Sequence, residues 1–149
     1  MIALACDHGG FELMKDVKTY LDSIGKECKD FGAFSPKSCD YPVILAPAAK
    51  AVVDGTCEKG IFICGTGIGM SMAANKIPGI RAALCTNVYM AEMTRCHNDA
   101  NVLVLGGRVI DSDLAVKIVN AFLSTGFSTE EKHRRRVAML NDLDTKREE

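Results

Sequence analysis

The stretch from residue 60 to residue 76, Gly-Ile-Phe-Ile-Cys-Gly-Thr-Gly-Ile-Gly-Met-Ser-Met-Ala-Ala-Asn-Lys, constrains this chain most. A short β-branched strand (Ile61, Phe62, Ile63) runs through alternating glycines (Gly65, Gly67, Gly69) into an Ala- and Met-rich helical segment. Glycine tolerates positive φ and carries no Cβ, so successive N–H groups can converge on one spot while a ligand comes close. The unpaired N–H groups at the start of the following helix add to the same positive field. Cys64 at the strand tip and Thr66 inside the turn place a thiol and a hydroxyl beside it, and a thiol there is expected to have a lowered pKa. The turn is neither a dinucleotide fingerprint, since Met70 stands where the last glycine belongs, nor a phosphate loop, since no Gly-Lys-Ser/Thr follows. A cysteine phosphatase would need Arg in place of Met70. A tight turn over a buried cysteine is the competing reading.

The 149 residues suit one domain, which buries roughly 70% of the surface its unfolded chain exposes. With 18 basic and 19 acidic residues, bulk charge recommends neither a nucleic-acid nor a membrane partner. No apolar run approaches a membrane span and the amino terminus lacks a basic leader, so a cytoplasmic location is expected. The seven cysteines include no C-x-x-C pair, and they read as reduced thiols, not as a disulfide framework or zinc site.

Along the chain, strands alternate with helices. Ile2–Cys6 turns through Asp7-His8-Gly9-Gly10 into a helix with Phe11, Met14, Val17, Leu21 and Ile24 on one face and Gly25 at its end. Glu27–Phe31 is a weak second strand. Asp40 and Pro42 mark the start of a helix expected over residues 43 to 54, which Pro47 should delay or kink. Residues 79 to 85 form a fourth strand, and Thr86-Asn87 cap a helix through about Arg95. Cys96 to Asn101 then read as a polar loop before strand 102–105. Asp111-Ser112-Asp113 cap the next helix, which Gly126 ends. Ser128 to Glu131 read as a capping box for a last helix at about 129–146, and Asp144–Glu149 as a disordered end. The fold class is α/β: a single-domain, Rossmann-like three-layer sandwich around a five-stranded parallel sheet.

Strand direction sorts the candidate residues. Asp7, His8, Cys64, Thr66 and Arg108 follow strands and share the carboxyl rim, where open α/β sheets bind ligands, and Tyr41 lies on the same rim. His97 and Asn98 precede a strand and belong at the opposite rim. If they share one site with Cys64, a neighbouring chain completes it, so at least a dimer is expected. Lys132, His133 and Arg136 lie three or four apart on one helix and can present a cationic fork.

Cys-Asp-His-Gly-Gly-Phe at 6 to 11, Asp-Tyr-Pro at 40 to 42, Cys-Gly-Thr-Gly-Ile-Gly at 64 to 69, Ala-Ala-Asn-Lys at 73 to 76, His-Asn-Asp at 97 to 99 and Gly-Gly-Arg-Val at 106 to 109 together resemble the type B ribose-5-phosphate isomerases. That family also contains the subunits of galactose-6-phosphate isomerase. The resemblance spans nearly the whole chain and implies a single sugar-phosphate isomerase domain that interconverts ribose 5-phosphate and ribulose 5-phosphate without metal or cofactor. It implies that Cys64 moves the proton between C2 and C1 and that His97, with Asp7 nearby, opens the furanose. His8, Arg108 and Arg136 would hold the phosphate, with Lys132 beside them. Thr66 and the amides of Gly65, Gly67, Ile68 and Gly69 would stabilise the enediolate, and Asn98 and Tyr41 would contact the sugar.

The chemistry of these residue types fits such roles. Converging N–H donors stabilise an enediolate where water is excluded, a thiolate of lowered pKa is a competent base, and guanidinium forks suit a phosphate dianion. Two positions depart from the family. Met70 stands where some members carry a Glu base, and Lys132 stands where many carry Arg, keeping the charge but losing the bidentate fork. A six-carbon sugar phosphate, of allose or galactose, is the alternative substrate, and a non-catalytic phosphate-binding domain is the alternative of another class.

Overall fold

The structure is a computed structural model that describes residues 1–145. Five strands, β1 (Ile2–Cys6), β2 (Cys28–Asp30), β3 (Lys59–Cys64), β4 (Ala82–Leu84) and β5 (Val102–Gly106), form one sheet. All pairings are parallel, in the order β2-β1-β3-β5-β4. Six helices accompany them: α1 (Phe11–Ser23), α2 (Tyr41–Val53), α3 (Ile68–Ala74), α4 (Val88–Asn98), α5 (Ser112–Ser124) and α6 (Glu131–Thr145).

The central strands are buried on both faces, so their alternation separates two cores rather than a core from solvent. Ile2, Leu4, Ile61, Ile63, Leu103 and Leu105 face α1, α4 and α5. Ala3, Ala5, Phe62, Val102 and Val104 face α2 and α3. Small residues on β1 beside Phe62 leave room for the close approach of α2, whose Ala48, Ala49 and Ala51 are buried against that face. The three-layer sandwich expected from the alternation of elements is the one found.

Several local expectations change. Helix α2 starts early, at Tyr41, and contains Pro47. The proline costs little there because Val43, four residues back, is exposed and water can reach the carbonyl that the missing N–H would have bound. Asp40 occupies the N-cap position without a side-chain capping bond. Asn87 and Asp111 do cap, accepting from Met90 N and Leu114 N at 2.8 Å each. Helix α5 stops at Ser124, before Gly126, because Thr125 turns extended. Ser128 accepts from Glu130 N at 3.0 Å, a side-chain turn instead of a capping box, so α6 opens at Glu131. Helix α6 continues through Thr145, and Asp144, read as disordered, accepts from Gly79 N at 2.8 Å. Residues 146–149 of that expected disordered end lie outside the described residues.

Register fixes the carboxyl rim. Cys6 pairs with Ile63 and Cys64 with Gly106, so the residues leaving β1, β3 and β5 stand level. A Cβ at Gly10 would lie 2.3 Å from the Ile63 carbonyl oxygen, which is backbone and cannot step aside. Gly10→Ala is therefore expected to destabilise the fold by about 2–3 kcal/mol, measured by urea denaturation.

Candidate active site

At the carboxyl rim, Asp7 is buried and its Oδ1 accepts from Gly9 N at 2.8 Å and Gly10 N at 3.2 Å, which holds the turn into α1. His8 is half-buried, and its Nδ1 accepts from Cys39 N at 3.3 Å. In the neutral ring that bond puts the proton on Nε2, free to donate. Asp7, His8, Asp40 and Tyr41 line one open cavity.

Of the three alternating glycines only Gly67 has positive φ, at 81°, as the N-cap of α3. The other two serve close approach: a Cβ at Gly69 would come within 2.6 Å of Tyr41 Cζ, and one at Gly65 within 3.1 Å of Arg108 Nη1. Arg108 is thereby held over the turn, and its own N–H donates to Gly65 O at 2.9 Å. Thr66 is exposed, and its Oγ1 accepts from Ile68 N at 3.2 Å. That leaves the hydroxyl proton to donate outward, and it means one amide of the expected cradle is already bonded within the turn. Cys64 is 5% exposed, packed with the core beneath α2 and α3 and not among the residues that line the Asp7–His8 cavity. Met70 is fully buried in the same core, so the position of the family's Glu faces inward here.

His97 and Asn98 lie at the other end of the sheet. They are not in a loop, as the run of polar residues suggests, but in the last turn of α4, which continues through Asn98 until Asp99 turns left-handed. A cation there also meets the negative end of the helix dipole. His97 stacks on His133 of α6 with ring centroids 4.2 Å apart and planes 5° from parallel. These two, with Asn98 and Arg136, line a cavity of about 220 Å³. Lys132 is outside it, exposed and 3.5 Å from Glu130. Of the cationic fork expected from spacing, His133 and Arg136 stand together in this cavity and Lys132 does not.

The expected residues therefore form two groups within one chain. Asp7, His8, Tyr41, Cys64, Thr66 and Arg108 gather around the glycine turn, and His97, Asn98 and Arg136 gather between α4 and α6. Such a fold, with a glycine turn and a cationic rim where the strands end, defines the class of parallel α/β proteins that hold anionic ligands at the carboxyl ends of their strands. Within that class the sequence matches the ribose/galactose isomerase family over residues 2–140. The chain belongs to that family and is an aldose–ketose isomerase. It is similar to ribose-5-phosphate isomerase B of Escherichia coli (strain K12), 42% identical over 146 residues that cover 98% of this chain and 97% of that protein. It is also similar to 4-deoxy-4-sulfo-D-erythrose isomerase of Clostridium sp. (strain MSTE9), 41% identical over 128 residues, 85% of this chain and 80% of that one. The solved structure of Clostridium thermocellum ribose-5-phosphate isomerase B superposes with a TM-score of 0.94 at 48% identity, over 97% of each chain.

Burial, and next the neighbouring His97 ring, hold the His133 imidazole below its ordinary value of 6.5. Lys132 and Arg136 push the same way and Glu130 opposes them. Near pH 6 the unfolded chain then binds more protons at this position than the folded one, so its contribution to stability falls as pH drops through 6.5. Between about pH 7 and about pH 5, the Tm of the wild-type protein is expected to fall more steeply than that of His133→Phe, which keeps a ring face and cannot take up a proton.

Proposed function

We propose that the chain interconverts ribose 5-phosphate and ribulose 5-phosphate through an enediolate, at sites shared between two copies of the chain. The observation that carries this reading is the register that sets Asp7, Cys64 and Gly106 level beneath the glycine turn, in a chain 42% identical to the E. coli enzyme of that name. Strand direction leaves His97 at the other rim, where Arg136 lines the same cavity, and a second copy is the simplest way to bring them to the same sugar. Helix α6 supports a facing copy, since Met139, Leu140 and Leu143 are exposed apolar residues beside Arg136.

In this reading the phosphate binds His8 Nε2–H and Arg108 of one copy and Arg136 of the other, with Lys132 at the margin as a point charge. His97 of the second copy relays the O1 hydroxyl proton to the ring oxygen as the C1–O4 bond breaks, which opens the furanose and leaves the C1 carbonyl, and Asn98 and Tyr41 hold sugar hydroxyls. The Cys64 thiolate takes the proton from C2, and the C–H electron pair becomes the C1=C2 bond of the enediolate. Negative charge on O1 and O2 meets the Thr66 hydroxyl and the amides of Gly65, Gly67 and Gly69. Return of the proton to C1, with a hydroxyl proton passing from O2 to O1, yields the ketose. Excluding water strengthens each of these interactions and keeps the enediolate from side reactions, but the burial of Cys64 is also what the competing reading of a tight turn over a buried cysteine expects, and a thiolate there depends on the dipoles of the glycine turn offsetting the loss of water. Phosphate binding energy holds C2 against the sulfur. No step calls for a cofactor.

Cys64→Ala is expected to abolish turnover while retaining sugar-phosphate binding, and near-wild-type turnover would remove the thiolate from the mechanism. Mixing unfolded Cys64→Ala with unfolded His97→Asn and refolding them together tests the shared site. Half of a random set of dimers is then mixed and each mixed dimer rebuilds one intact site, so activity should return to about one quarter of wild type. Sites contained within one chain would give no recovery. Comparing kcat/KM for ribose 5-phosphate, allose 6-phosphate and galactose 6-phosphate decides the substrate, and a preference for either hexose would replace the pentose reading.

A further inference from the structure

The end of α4 is built more elaborately than a helix end requires. Asp99, directly after His97 and Asn98, is the only non-glycine residue with positive φ among the described residues, at 47°. An L-residue there is strained by roughly 1 kcal/mol and persists only where its surroundings hold it. Two guanidinium groups do so. Arg95 is 8% exposed, and its Nη1 donates to Asp99 Oδ1 at 2.9 Å and to Ala100 O at 2.6 Å.

Arg81, just before β4, holds the same residue from the other side. Its Nε donates to Asp99 O at 3.0 Å, its Nη2 lies 3.4 Å from Asp99 Oδ2, and its Nη1 donates to Asn141 Oδ1 on α6 at 3.1 Å. The backbone of Arg81 is fixed in turn: its N–H donates to Asn101 Oδ1 at 2.8 Å, and Asn101 N donates back to Arg81 O at 3.0 Å. One planar fork therefore ties the turn that carries His97 to the helix that carries His133 and Arg136. Lysine has the charge to pair with Asp99 but not the geometry to reach all three acceptors.

We propose that Arg81 and Asp99 are positioning residues for His97. Their bonds fix the left-handed turn that ends α4, and with it the orientation of the His97 ring in the cavity between α4 and α6. The proposal rests on the reading in which His97 opens the sugar ring.

The test places Arg81→Lys and Asp99→Asn each in the wild-type chain and in a His97→Asn background. In the wild-type chain each substitution is expected to lower kcat/KM for ribose 5-phosphate about tenfold, as a small misplacement of a reacting group does. In the His97→Asn background the same substitutions should cost less than about twofold, because the ring they aim is gone. An equal loss in both backgrounds overturns the proposal, since a purely structural role acts whether or not the imidazole is present. Arg81→Lys, the milder change, carries the test if Asp99→Asn does not fold. The imidazole NMR signals of His97 should also shift in Arg81→Lys, and unchanged signals overturn the proposal without reference to turnover. A wild-type chain that turns over no sugar phosphate would overturn the functional reading alone, while those NMR signals still decide the positioning role.

Discussion

The whole carboxyl rim depends on three turns lying against one another backbone to backbone. A Cβ on Gly9 would fall 2.8 Å from Gly65 Cα, and one on Gly107 would fall 2.5 Å from Gly9 O. Parallel pairing of β1, β3 and β5 brings these turns to one level, and the missing side chains let them close the gap. Polar main-chain groups thus concentrate in a small area. Hydrogen bonds from Gly107 N to Cys64 O and from Arg108 N to Gly65 O stitch two of the turns together. Side chains are displaced to the margin of this seam, where Asp7, His8, Tyr41 and Arg108 stand around it.

Several of the chemically interesting groups also hold the structure. Asp7 ties the first turn through the amides of Gly9 and Gly10, and His8 holds the 33–40 segment through Cys39 N. The carbonyl of Cys64 belongs to the seam while its side chain packs in the apolar core beneath α2 and α3. Other thiols show what a dry setting does by itself. Burial pushes Cys6 and Cys85 up to about 11, out of reach of any acid–base role near neutral pH.

The strands were legible because apolar runs such as Ile61–Ile63 and Val102–Leu105 are short and end within two residues of a glycine. The division of the candidate residues between two rims followed from strand direction and needed no coordinates. Element ends were harder to read. The last turn of α4 is polar on every side, so Cys96–Asn98 looked like a loop, and only the left-handed Asp99 marks where the helix stops. Pro47 looked disruptive because solvent exposure at Val43 is not written in the sequence. The stacking of His97 on His133 joins residues from two helices whose packing no local pattern encodes. The same holds for the fork of Arg81, whose acceptors lie on Asp99 and Asn141.

The two rims differ in how they are anchored. β3, which carries the glycine turn, lies between β1 and β5 in the middle of the sheet, and five of its six residues are buried. Helix α6 buries only His133 and Val137 of its fifteen residues and leans on α4 and on the Gly79–Arg81 segment. In a chain without a facing copy, detaching it exposes little apolar surface, so it forms a low-cost cooperative unit that can open while the sheet stays intact. Arg136 and His133 would leave with it, whereas the thiol and the glycine turn would be lost only with the whole fold. In a lone chain, mild heat or denaturant would therefore open the cavity between α4 and α6 first and leave the sheet and its glycine turn folded.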